Sequence, residues 1–177
     1  AGRDGAPALA SLSIAYLLPH WHVDPRYWLV PSALFLLFKR DDTGIARYFT
    51  LNTMEGKVVG SNGKGSTGAM AAALLARNGA SVGLFTSPHL FALNERFRIG
   101  EDDISDDELG EHWAIVRAVI GQCGLEQTIG GFEFLFLMAA SWFKARGCVH
   151  TVWEAGIGGR LDPVKLISAR NVGLTAL

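Results

Sequence analysis

Cysteine is scarce in this chain. Cys123 and Cys148 are the only two among 177 residues, and their spacing fits neither a metal cluster nor a redox pair. That excludes a disulfide-stapled scaffold and leaves two reduced thiols, as expected of a cytoplasmic protein. No excess of one charge exists either: 16 basic residues against 17 acidic ones give a formal net charge of −1. The basic residues are scattered and form no run, so neither a nucleic-acid partner nor an acidic membrane surface is expected. Long apolar runs are also missing. Tyr27 to Phe38 is twelve residues with Pro31 inside it, and Phe132 to Phe143 contains Glu133. A spanning helix needs about twenty apolar residues, so both runs read as buried helices or a partner-facing surface. No basic segment followed by an apolar stretch and a cleavage-like site opens the chain, and no secretion signal is expected. His20, His22, His112 and His150 show no ligand spacing. What remains is a chain 49% hydrophobic, enough to bury a core as one domain.

Glycine, by contrast, is placed with purpose. Residues 60 to 67 read Gly-Ser-Asn-Gly-Lys-Gly-Ser-Thr, after the apolar run Lys57-Val58-Val59 and before a small-residue helical stretch, Gly68 to Arg77, stopped by Asn78-Gly79. Strand, glycine turn and helix together build a phosphate cradle. Glycines admit an anion close to the backbone N–H groups, and a helix start adds roughly half a positive charge. Lys64 would lie along the terminal phosphates, with the hydroxyl of Ser66 or Thr67 on the metal or a phosphate oxygen. The usual G-x-x-x-x-G-K-[ST] pattern is not met strictly: Val58 holds the leading glycine position, and Gly65 stands where the hydroxyl belongs. A glycine turn before a helix can also be a plain connector.

Two further segments point the same way. Val82 to Thr86 reads as a strand that empties into Ser87-Pro88-His89-Leu90 and then Asn94-Glu95-Arg96-Phe97-Arg98. Val149 to Trp153 is an apolar run ending in Glu154, followed by Gly156-Ile157-Gly158-Gly159-Arg160-Leu161-Asp162. Three strands, each delivering polar or glycine-rich residues at its downstream end, suit one crevice at the carboxyl edge of a parallel sheet. Gly156-Ile157-Gly158-Gly159 is no dinucleotide fingerprint, since the third glycine of G-x-G-x-x-G would fall at Leu161. Ser87 and Glu154 are oxygen donors of the hard type that Mg²⁺ prefers. Ser87 could equally be a turn hydroxyl beside Pro88, and Glu154 an exposed acid at a strand end.

The runs NGKGST, TSPHLFALNERFRI and WEAGIGGRLD resemble the folylpolyglutamate synthase and dihydrofolate synthase family, within the Mur ligase superfamily, over roughly residues 57 to 177. The resemblance implies an ATP-dependent ligase that adds L-glutamate to dihydropteroate or a folate through an acyl phosphate. ATP and Mg²⁺ are the cofactors it implies. It assigns catalysis to Lys64, nucleotide binding to Asn62, Gly63, Lys64, Gly65, Ser66 and Thr67, and metal binding to Ser87 and Glu154. Phe132, Glu133 and Leu161 would contact the substrate, and His89, Arg96 and Arg98 belong to a loop that clamps over the site in relatives. Singly, those three read as solvated surface residues, and Phe132 and Glu133 could be core and helix-start residues. Where the family has L-D-A-T-N, this chain has Leu161-Asp162-Pro163-Val164-Lys165. A ligase for another carboxylate, or a non-catalytic nucleotide-binding module, stays open as an alternative.

For the organisation, residues 1–55 are expected to form a divergent helical segment, with helices at Leu9 to Leu18 and Trp28 to Arg40. Residues 56–177 are expected to form a three-layer α/β P-loop domain with a mostly parallel sheet, like the central domain of Mur ligases. Ser105 with Glu108 forms a capping box that opens a helix of about sixteen residues to Gly121. A polar loop, Gln122 to Gly131, leads to a second helix, Phe132 to Arg146, and Asn171 to Leu177 reads as a strand. The ATP-binding domain is expected to be truncated here, with the C-terminal glutamate-ligase domain absent and the fragment inactive on its own.

Overall fold

The computed structural model describes residues 54–158, 162–167, 169 and 171–175, so the expected helices at 9–18 and 28–40 and the substrate candidate Leu161 lie outside the described residues. Six strands form one sheet in the order β4-β3-β2-β5-β1-β6. They are β1 (Met54–Val59), β2 (Val82–Phe85), β3 (Phe97–Ile99), β4 (Asp102–Asp103), β5 (His150–Glu154) and β6 (Asn171–Leu174). β2, β5, β1 and β6 run parallel, and β3 and β4 add an antiparallel hairpin at one edge.

Helix α1 (Lys64–Ala76) connects β1 to β2, and helices α2 (Asp106–Gln122) and α3 (Gly131–Ala145) lie between β3–β4 and β5. Because β5 sits between β1 and β2, the chain crosses the sheet one way through α1 and returns the other way through α3. Right-handed crossovers in opposite directions put their helices on opposite faces, which makes three layers. Alternation along the strands serves both faces. Val82, Leu84 and Val152 pack with Ala72 of α1, while Phe85 and Trp153 face α3.

The α3 face carries the larger core. The Phe85 ring meets Phe97 at 5.8 Å, Phe132 at 5.7 Å and Trp153 at 5.8 Å, and Trp153 meets Phe136 at 5.0 Å and Phe143 at 5.3 Å. Gly83 is needed for this approach, since a Cβ there would fall 2.7 Å from the Phe143 ring. Phe132 to Phe143 is thus a buried core helix, and no described helix is long and apolar enough to cross a membrane.

Three features depart from the sequence reading. Helix α1 starts at Lys64 rather than Gly68, because Gly63 adopts the left-handed conformation (φ 74°) and caps it from outside. Residues 93–103 are a 3₁₀ turn (Leu93–Arg96) and the β3–β4 hairpin rather than a loop. The capping box forms by half. Ser105 Oγ accepts from the Glu108 N–H at 3.3 Å, but the Glu108 carboxylate does not reach the Ser105 N–H. Its Oε2 accepts from the Ser105 hydroxyl (3.1 Å), and its Oε1 from Trp142 Nε1 (2.9 Å) of α3 and Arg146 Nε (2.8 Å) at the end of that helix.

Candidate functional site

The outgoing connections of neighbouring strands β1 and β5 diverge. β1 exits to α1 on one face, whereas β5 exits toward Val164 and Ile167, which join the aromatic core on the other. Between such strands the carboxyl edge opens a crevice, the place where open α/β sheets bind ligands. Register aligns Val58 with Glu154 and Phe85 with Trp153, so the ends of β1, β2 and β5 lie level.

At that edge the turn from Gly60 to Gly63 leads straight into α1. Helix α1 has no side-chain cap and no acidic residue in its first turn, and the turn residues Ser61, Asn62 and Gly63 are exposed. Lys64 Nζ donates to the Gly60 carbonyl at 3.0 Å, folding its charge back over the loop. The open amides of the first turn and the Lys64 ammonium form a concentrated positive locus.

Glu154 faces this locus and is 4% exposed. Its Oε2 accepts from the Ser87 backbone N–H at 3.1 Å, and a Cβ at Gly65 would lie 3.5 Å from that oxygen. Gly65 therefore lets the first turn of α1 come close to the carboxylate. Burial pushes the Glu154 carboxyl above its ordinary range, opposed by the Ser87 N–H and by the charges of Lys64 and Arg96. Lys64, Ser87 and Glu154, from three separate stretches of sequence, thus surround one point. Ser87 engages Glu154 through its amide, and its hydroxyl is the group left to supply an oxygen.

Arg96 belongs to the same cluster, against the reading of it as a surface residue. Burial lowers its guanidinium below the usual range while Glu154 opposes the shift, and its Nε donates to His89 Nδ1 at 2.9 Å. Arg98 points elsewhere and pairs with Asp103 at 2.8 Å across the hairpin. The loop before Arg96 is shaped by Glu95, whose carboxylate accepts the N–H groups of Leu90 (2.7 Å), Phe91 (2.8 Å) and Ala92 (2.8 Å).

Phe132 and Glu133, in the first turn of α3, lie close to the turn that follows β5. The Phe132 ring leaves no room beside Gly156, where a Cβ would fall 3.1 Å from Cζ. Glu133 is half-buried, and its carboxyl is raised foremost by burial and further by Asp162. Asp162 has a role that sequence reasoning missed. It is 5% exposed, and its Oδ2 accepts from Gly156 N (2.8 Å) and Ile157 N (3.1 Å) while Oδ1 accepts from Val164 N (2.9 Å). It therefore ties the turn after β5 to the Pro163–Leu166 3₁₀ turn. Burial raises its carboxyl, with those three amides opposing. An acid followed by proline was the available signal, because proline favours the first position of a helical turn and Asp its cap.

No family model matches the chain. A putative folylpolyglutamate synthase from Dictyostelium discoideum is 36% identical over 121 residues, 68% of this chain and 19% of that protein. Among solved structures, a folylpolyglutamate synthase (FPGS)–AMPPCP–folate complex superposes with a TM-score of 0.70 at 31% identity, covering 76% of this chain and 34% of that one. A bifunctional folylpolyglutamate synthase/dihydrofolate synthase with Mn, AMPPNP and L-glutamate bound gives a TM-score of 0.67 at 28% identity, covering 81% and 37%. The chain spans about a fifth of the first relative's length and about a third of the two solved chains.

Proposed function

The chain belongs to the folylpolyglutamate synthase/dihydrofolate synthase family over the part of its relatives that it spans, and from that premise we propose that residues 56–177 form the ATP-binding domain of an amide ligase. The reaction is addition of L-glutamate to dihydropteroate or a folate, driven by ATP, in the cytoplasm. A substrate carboxylate attacks the γ-phosphate, ADP leaves, and the glutamate amino group displaces phosphate from the acyl phosphate. The observation that carries this reading is the convergence of Lys64, Ser87 and Glu154 at the carboxyl ends of β1, β2 and β5.

Each residue has a physical task. Carboxylate and triphosphate repel, so the site must aim positive charge and N–H donors at the transferring group. The amides of Gly63 to Ser66 cradle phosphate oxygens, and Lys64 leaves the Gly60 carbonyl to neutralise the terminal ones. Thr67 Oγ1 or Ser66 Oγ supplies the hydroxyl that Gly65 lacks. The Glu154 carboxylate and the Ser87 hydroxyl fit Mg²⁺, which takes hard oxygens and needs only one or two from protein. Bound there, Mg²⁺ would neutralise charge on the phosphates. The Glu154 anion is costly while the site is empty, which makes it a cation acceptor. Arg96 adds a second positive charge from the β2 side. Phe132 and Glu133 would meet the pterin end of the substrate, and Leu161 would contact the substrate.

Two measurements test the proposal. Calorimetric titration with Mg-AMPPNP should show binding to the chain that Lys64→Ala weakens on the order of 100-fold. Phosphate release from ATP should require both the pteroate acceptor and glutamate; release with neither present would count against the ligase reading. Release driven by a different carboxylate would favour another Mur-type ligase instead.

A further inference from the structure

Strand β6 ends beside the phosphate loop, and Thr175, the residue just after it, makes the last contact there. The Thr175 N–H donates to the Val59 carbonyl at 3.0 Å, and its hydroxyl lies 2.6 Å from the Asn62 carbonyl and 3.2 Å from that of Val59. A hydroxyl has a single hydrogen. The Val59 carbonyl already receives the backbone amide, and the Asn62 contact is the shorter, so the hydrogen goes to Asn62. This bond joins residues 113 apart in sequence and is the point where the far strand reaches the loop.

The consequence follows from peptide geometry. A planar trans peptide points its C=O and N–H in opposite directions. Drawing the Asn62 carbonyl toward β6 turns the Gly63 N–H away from β6. That amide has no partner among the described residues. Gly63 is also the residue whose left-handed backbone turns the chain into α1. Strand formation alone would be served as well by valine, which has no hydroxyl.

We propose that Thr175 is a positioning residue for the phosphate loop: its hydroxyl holds the Asn62–Gly63 peptide so that the Gly63 N–H is presented to the nucleotide phosphates. The inference rests on the nucleotide-binding reading above and deepens it. Lys64 restrains the other end of the same loop through Gly60, so the turn is held at both ends before any ligand arrives. Such preorganisation lowers the ordering cost of binding.

The test compares the chain with its Thr175→Val and Thr175→Ser variants by two readouts. In the nucleotide-free chain, amide hydrogen exchange of residues 60–64 should quicken in Thr175→Val while β5 and α3 keep their protection. Mg-AMPPNP affinity should fall roughly five- to tenfold, the worth of one hydrogen bond. Thr175→Ser should restore both. Thr175→Ala, which keeps the β6 backbone bonds, takes the place of the valine variant if that fails to fold. Unchanged affinity in Thr175→Val overturns the inference alone. Faster exchange throughout the domain without rescue by serine also overturns it, since that is general loosening. If the unaltered chain binds no Mg-AMPPNP, the nucleotide reading falls and this inference falls with it.

Discussion

The first turns of α1 and α2 solve the same problem in opposite ways. Both must deal with backbone amides that have no partner inside the helix. Helix α2 deals with them internally: Ser105 caps it, and Asp106, Asp107 and Glu108 place negative charge on the positive end of the dipole. Helix α1 does none of this. Its cap is Gly63, its first turn has no acid, and its first residue is a lysine. In isolation that is the poorer start, with a cation on the positive helix end. The arrangement makes sense when a strongly anionic ligand completes it. One helix start is finished by the chain, and the other is left for a partner.

That contrast can be broken by exchanging features between the two ends. Lys64→Ala should have the largest effect, a loss of nucleotide affinity on the order of 100-fold by calorimetry, comparable to removing one preorganised donor from an active site. Its thermal midpoint should not drop. Ser66→Asp gives α1 the acid that α2 has. Triphosphate affinity should fall at least about tenfold, while the nucleotide-free fold gains about 0.3–1 kcal/mol by denaturant titration.

Glu154→Gln should remove the Mg²⁺-dependent part of nucleotide binding and raise the stability of the empty chain at neutral pH. The direction follows from burial, which raises this carboxyl's pKa. The empty fold favours the protonated form, so its stabilising contribution holds at low pH and is lost as pH rises through the raised pKa. Cation binding needs the carboxylate, so Mg²⁺ affinity should weaken as pH falls through the same range. Glu133 and Asp162 shift in the same direction for the same cause, and only the Glu154→Gln variant assigns the effect.

Ser105→Ala should have the smallest consequence: about 1 kcal/mol of stability lost from α2, with nucleotide affinity unchanged. A change in affinity there would mean that the two helix starts are not independent.

Much of the domain was legible from local chemistry. The apolar runs ending at Val59, near Phe85 and at Glu154 are strands, and Ser105 does open a helix. Boundaries moved where glycine misled. Gly63-Lys64-Gly65 reads as loop by propensity, yet the helix includes Lys64 and Gly65 because the first turn packs beside the Glu154 carboxylate. The hairpin at 97–103 was missed because its pairing with β2 is a contact between distant residues, and Arg98 and Asp103 look like solvated charges until they are opposed. Arg96, taken singly, looks like a solvated charge for the same reason. Its cation is brought toward Glu154 by Thr86, whose N–H bonds the Arg96 carbonyl at 3.1 Å.

Sequence by itself determined the elements and pointed to candidates for their chemistry: strands from apolar runs, a candidate cradle in the glycines and lysine, and Ser87 and Glu154 as candidate oxygen donors. These depend on spacing along the chain, which letters display. Only the tertiary structure decided which of those groups share one volume, that Glu154 would be buried, and that Thr175 would reach Asn62 across the sheet. Those outcomes depend on strand order and on which face each crossover covers, and neither quantity is local.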